Sequence, residues 1–133
     1  MNIQKKAAPS MDEWMREAKS SADAGKCGMF LFHNGVVRNT AKAQVRGNAE
    51  DCAPVTGMNF SYDANLVRAA VERARRLPGI YYVRVWLNEG RLKVGDDLML
   101  VLIGGDIRPR VLEALSSLVA EIKDNCVSEK EIS

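Results

Sequence analysis

The stretch Leu98-Met99-Leu100-Val101-Leu102-Ile103 is apolar at six consecutive positions. A strand sends alternate side chains to opposite faces, so a run apolar at every position predicts a strand covered on both sides, at the centre of a sheet. It is far shorter than the ~20 residues of a membrane span. Gly104-Gly105-Asp106 is expected to end this strand. Ile80-Tyr81-Tyr82-Val83-Arg84-Val85-Trp86-Leu87, rich in β-branched and aromatic residues, predicts a second one. Between them, residues 89–96 read as a turn, a short strand and another turn.

Outward from this core, Arg108-Pro109 opens a helix, since proline suits a first turn. The helix is expected to bury Val111, Leu112, Leu115, Leu118, Val119 and Ile122, and the chain from Cys126 reads as a short polar tail. Upstream, Asp63 is a suitable N-cap for a helix in which Leu66, Ala70, Ala74 and Leu77 recur at helical spacing, closed by Leu77-Pro78-Gly79. Cys27 to His33 is a short apolar run, read as a buried strand that ends in the turn-prone Asn34-Gly35. Val55 to Tyr62 can form another strand. Ser10, with Glu13 three residues on, has the pattern of a capping box before a short first helix.

Residues 1–10 read as flexible, and 39–56, polar and without period, as a long loop of the kind that is functional or disordered. The order of elements predicts one α+β domain over residues 1–133, a mostly antiparallel sheet with helices packed on it.

Charge narrows the function. Nineteen basic residues against 17 acidic give a net charge of +2, unlike a nucleic-acid binder with its large basic face. Arg68, Arg73, Arg75, Arg76 and Arg84 could form a basic patch, but the balancing acids favour a solvated helix face. The N-terminus lacks the apolar segment of a secretory signal, so a cytoplasmic location is expected. Cys27, Cys52 and Cys126 are odd in number and widely spaced, and His33 is the single histidine. Reduced thiols are therefore expected, with neither zinc nor a disulfide framework, and no cofactor.

The sequence holds no Ser/His/Asp set and no Gly-rich phosphate loop. What it offers is cations at element ends: Arg38, Arg108, Lys123 and Lys130. Arginine presents a forked donor to phosphate or carboxylate, and a partly desolvated lysine can act as base or nucleophile. Lys123, in a last helical turn, is also what the helix dipole favours, whereas Arg108 in a first turn opposes the dipole. Lys130 by itself reads as a solvated tail residue, and His33 as a packing residue at a strand end.

Several segments together resemble the large, catalytic subunit of molybdopterin synthase. They are Gly28 to Asn39 with its Gly-x-Val-Arg-Asn element, Gly90-Arg91-Leu92-Lys93-Val94-Gly95-Asp96, and Leu98 to Arg108 leading into a helix followed by Lys123 and Lys130. The resemblance runs from about Asp12 to Glu131. It implies an α/β-hammerhead fold and an enzyme that converts cyclic pyranopterin monophosphate to molybdopterin in molybdenum cofactor biosynthesis. Sulfur would come from the thiocarboxylated Gly-Gly C-terminus of a small ubiquitin-like subunit. The implied assembly is a homodimer with one small subunit at each end, a heterotetramer. By the same resemblance Lys123 is the lysine nearest the thiocarboxylate and Lys130 the second catalytic lysine. Arg38 and Arg108 bind substrate, Arg108 from the neighbouring protomer.

The chain departs from the family pattern in three places. Ile107-Arg108 stands for a usual His-Arg, Leu87-Asn88 for another His-Arg, and Cys126-Val127-Ser128-Glu129 for a Pro-aromatic-Trp stretch between the lysines. It also lacks a longer basic tail beyond Lys130. These differences imply weakened activity, or alternatively a relative that binds the small subunit or a pterin without turnover.

Overall fold

The computed structural model describes residues 4–47 and 53–133; Cys52 and loop residues 48–51 lie outside them. The elements in order are α1 (Met11–Lys19), β1 (Met29–Val36), a short α2 (Lys42–Val45), β2 (Gly57–Tyr62) and α3 (Ala64–Arg75). Then come β3 (Ile80–Leu87), β4 (Gly90–Lys93), β5 (Asp97–Gly105), α4 (Arg108–Glu121), a π-helical turn (Ile122–Cys126) and β6 (Val127–Ile132).

The strands form two three-stranded sheets, β1-β5-β3 and β4-β2-β6, with every pairing antiparallel. The apolar run is the middle strand of the first sheet, and Leu98 through Ile103 are all buried. Its two faces feed two cores. Leu100 and Leu102 pack with Trp14 and Ala18 of α1 and with Phe30 and Phe32 of β1. Met99, Val101 and Ile103 face a larger core with Val111, Ala114 and Leu118 of α4 and Ala70, Val71 and Ala74 of α3. Met58, Phe60 and Leu92 bring the second sheet into the same core. Complete coverage of both faces removes the usual strand alternation, which explains the unbroken apolar run.

The starts of α1 and α3 both carry side-chain caps, the first as the Ser10 half of a capping box. Ser10 Oγ accepts from the Glu13 N–H at 3.2 Å, and Asp63 Oδ1 accepts from Asn65 N–H and Leu66 N–H. Gly79 has φ +79°, a conformation that permits the tight reversal from α3 into β3, and its carbonyl accepts from Asp106 N–H. Where the sequence suggests a flexible start, Lys6 N–H donates to Asn88 Oδ1 at 2.7 Å, and Asn88 Nδ2 donates back to the Lys6 carbonyl. Lys6 Nζ meanwhile lies over the rings of Tyr62 and Trp86.

Five local expectations change. Asn34-Gly35 does not turn: β1 continues through it, with a register shift between Gly35 and Val36. Gly104-Gly105 likewise extends β5, because Phe30 and Val111 occupy the space where their side chains would stand. On α3 the buried face is Ala70, Val71 and Ala74, while Leu66 and Leu77 are exposed; on α4, Leu112 is exposed too. The expected long loop contains α2. The largest difference is at the C-terminus, where the polar tail is β6, paired along the edge of β2.

Three of the five arginines of the basic patch are neutralised locally. Arg75 pairs with Glu72, Arg73 with Glu121 and Arg84 with Glu17, as a balanced, solvated face would.

Candidate functional site

Antiparallel partners point to the same side of a sheet, and this fixes the directions of the β6 side chains. Glu131 pairs with Met58 and Glu129 with Phe60, both buried, so the two carboxylates lie on the core-facing side. Lys130 pairs with the exposed Asn59 and lies on the opposite side.

Above the core-facing end of β6 is a small cleft lined by Val36, Arg38, Lys42, Met58, Leu98, Lys123, Glu129 and Glu131. Each element supplies its residue for a local reason. Arg38 follows Val37, whose N–H and carbonyl are tied to Asp96 and Gly95, so the guanidinium leaves the end of β1 from a fixed base. Lys42 begins α2, and its backbone N–H donates to Glu131 Oε2 at 3.0 Å, anchoring the loop to β6. Lys123 stands in the π-helical turn, whose wide coil converts α4 into β6.

The electrostatics centre on one carboxylate. Lys42 Nζ and Lys123 Nζ each lie 3.9 Å from Glu129, on different oxygens, and the Glu129 side chain is 16% exposed. Arg38, an exposed residue at the cleft's edge, donates from Nε to the Thr40 carbonyl at 3.3 Å. His33 of β1 is near enough to feel Lys123: burial, and then that positive charge, push its imidazole below the ordinary value. The cleft thus gathers three cations and two carboxylates. Its volume is about 40 Å³, against ~300–1,000 Å³ for a typical small-molecule site. One chain thus forms room for an anionic end, not for a whole bicyclic or tricyclic ligand.

Of the four cations expected from the sequence, Arg38 and Lys123 meet in this cleft. Lys130 does not line it. Arg108 stands at the opposite end of α4, and at 1.5 Å rise per residue it is ~22 Å along the axis from Lys123. Among the described residues, neither Lys130 nor Arg108 has an ion-pair partner closer than 4.0 Å. Ile107, at the N-cap of α4, is 52% exposed and offers no polar side chain.

Sequence reasoning missed Lys42, Glu129 and Glu131 as cleft residues. The available signal was the spacing of Glu129 and Glu131 by two, which puts both on one face once the segment is known to be a strand. Burial raises the Cys126 and Cys27 thiols, helped by nearby acidic groups, so both favour the neutral form. Among the described residues no three His, Cys, Asp or Glu side chains gather as around a metal ion.

Comparison with solved structures shows the same fold. A molybdopterin synthase from Staphylococcus aureus superposes with a TM-score of 0.70 at 16% identity, over 93% of this chain and 85% of that one. The molybdopterin biosynthesis MoaE protein of Burkholderia ambifaria gives 0.69 at 18% identity, over 96% and 79%. A complex of subunits 1 and 2 of the molybdopterin-converting factor of Helicobacter pylori gives 0.65 at 19% identity, over 93% and 79%. No curated protein matches by sequence. The family model described as MoaE protein matches residues 5–125, which include Arg38, Arg108 and Lys123 and stop short of Lys130. That match spans most of the chain: it belongs to the MoaE family, the large catalytic subunits of molybdopterin synthase in molybdenum cofactor biosynthesis.

Proposed function

We propose that this chain transfers sulfur to cyclic pyranopterin monophosphate, taking it from the thiocarboxylated C-terminus of a small ubiquitin-like subunit, in the cytoplasm. The observation that carries the reading is the convergence of Arg38 and Lys123 on one cleft from distant parts of the chain.

Cations held side by side on a folded scaffold bind an anion more strongly than the same groups dispersed in water, because no reorganisation is needed to bring them together. Arg38 holds the phosphate of the substrate. Lys123 stands nearest the thiocarboxylate, whose sulfur bonds to a substrate carbon and displaces an oxygen substituent, giving an acyl thioester. Water then attacks the thioester carbonyl and the S–C(O) bond breaks. Lys123 stabilises the tetrahedral oxyanion and moves the proton as the partner leaves as a carboxylate and the sulfur stays on the substrate. Lys130, on the face of β6 away from the cleft, serves as the second lysine, its role distinct from that of Lys123.

The small cleft volume and the distance to Arg108 support a composite site. A second protomer supplies its Arg108 and the partner's Gly-Gly tail fills the remaining opening. The assembly is a homodimer carrying a small subunit at each end, a heterotetramer. The H. pylori relative was solved as a complex of two subunits, which supports a small-subunit partner here.

A second reading rests on Ile107 and Glu129: one offers no polar contact at the helix start, and the other partly neutralises Lys123. In that reading the chain binds the small subunit or a pterin without turnover. Expression in a bacterial strain lacking its own large subunit separates the two. Restored molybdoenzyme activity supports the synthase; absence of restoration with soluble, partner-bound protein supports the binding role.

A further inference from the structure

Glu129 has no part in the reaction proposed above, yet it lines the same cleft as Arg38 and Lys123. Its setting is unusual for a carboxylate. It faces the core side of the sheet beside Phe60 and is largely buried, where an ionised group without partners is costly. Lys42 and Lys123 compensate, one at each oxygen, and both separations are 3.9 Å. That is beyond hydrogen-bond length, so the attraction is Coulombic, without the directional hold of a hydrogen bond. Glu131 is committed differently, to the backbone N–H of Lys42. β6 is an edge strand, so no further strand of the sheet closes over its outer side.

We propose that Glu129 is a displaceable internal counter-ion: it sits between Lys42 and Lys123 in the cleft, balances the charge of both ammonium groups, and yields to an incoming oxyanion. The inference rests on reading this cleft as the anion site of the synthase. Glu129 acts through the two lysines, as a positioning residue. It also sets a threshold, since a ligand must compete with a carboxylate already present. The occupant is a small oxyanion, from either a substrate phosphate or a peptide C-terminus.

The test uses the purified full chain, with inorganic phosphate and diglycine as separate probes, followed by NMR or calorimetric titration. Removing the carboxylate that competes for the two ammonium groups should tighten binding of at least one probe roughly tenfold in Glu129→Gln and Glu129→Ala. The probe that gains identifies the source of the oxyanion. Glu113→Gln, exposed on α4, should leave both affinities unchanged. In the wild type, the same probe should shift the Glu129 carboxyl carbon resonance, a measurement that needs no variant. Unchanged or weaker binding of both probes in the Glu129 variants, an equal gain from Glu113→Gln, or a carboxyl resonance that stays still would overturn the proposal. These readouts need neither small subunit nor pterin. Tighter anion binding without sulfur transfer would therefore reject the synthase reading alone, and sulfur transfer with indifferent Glu129 variants would reject this inference alone.

Discussion

Lys123 Nζ and Glu129 Oε1 face each other at 3.9 Å across the π-helical turn that carries the chain from α4 into β6. The lysine is 39% exposed, and partly solvated pairs of this kind contribute at most about 1 kcal/mol to stability. Lys123→Ala should accordingly change the free energy of unfolding by less than about 1 kcal/mol in urea titration. A much larger loss would mean that the residue is structural first, and any loss of activity would then say little about chemistry.

His33 should make stability pH-dependent. Its imidazole titrates below its ordinary value of 6.5 in the folded chain, because of burial and the Lys123 charge, whereas the unfolded chain keeps that value. Between the two values the unfolded state binds more protons, so stability rises with pH there. It is fully present above pH 6.5 and is lost as pH falls through 6.5 toward the folded value. Urea midpoints across this range should decline toward acid in the wild type and decline less in His33→Phe. Equal slopes in the two proteins would remove His33 from the account.

Asn88 is a buried polar residue that holds the N-terminal arm. Its carbonyl oxygen accepts from Lys6 N–H and Glu89 N–H, and its amide donates to the carbonyls of Lys6 and Asp97. Asn88→Leu keeps the bulk and removes all four bonds, at a cost of about 1–3 kcal/mol. Trypsin should then cut after Lys5 or Lys6 faster than in the wild type. An unchanged cleavage rate would show that the arm is held by Lys6 and its aromatic neighbours instead.

Gly104 is required by close packing. A Cβ there would lie 2.6 Å from the Phe30 ring and 3.2 Å from Cys27 Sγ. Gly104→Ala should cost about 1–3 kcal/mol, the usual penalty for overfilling a packed core, and lower the melting temperature accordingly. Gly25→Ala, with open space around its position, should be close to neutral.

The reach of the sequence follows from where burial is two-sided or one-sided. β5 was legible because both its faces are covered, and β3 because its residues are β-branched and aromatic. β6 was not: it pairs through its backbone at a sheet edge, and Ser128, Glu129, Lys130 and Glu131 carry no apolar alternation to announce a strand. The same blindness extended to the cleft. Arg38 and Lys123 were legible as cations at element ends, but Glu129 acquires its place between two lysines only from the β2–β6 register. Lys42 lay in a segment read as loop. Leu66, Leu77 and Leu112 show the converse error, since helical spacing cannot tell which of two adjacent stripes faces the sheet.

Lys123 is proposed above as the catalytic group in sulfur transfer. The most direct measurement is molybdopterin formation by the purified chain mixed with a thiocarboxylated small subunit and cyclic pyranopterin monophosphate. The account predicts product from the wild type, and a rate at least roughly a hundredfold lower from Lys123→Ala, within the usual range for loss of a positioned acid–base group. Full activity in a folded Lys123→Ala variant would contradict it.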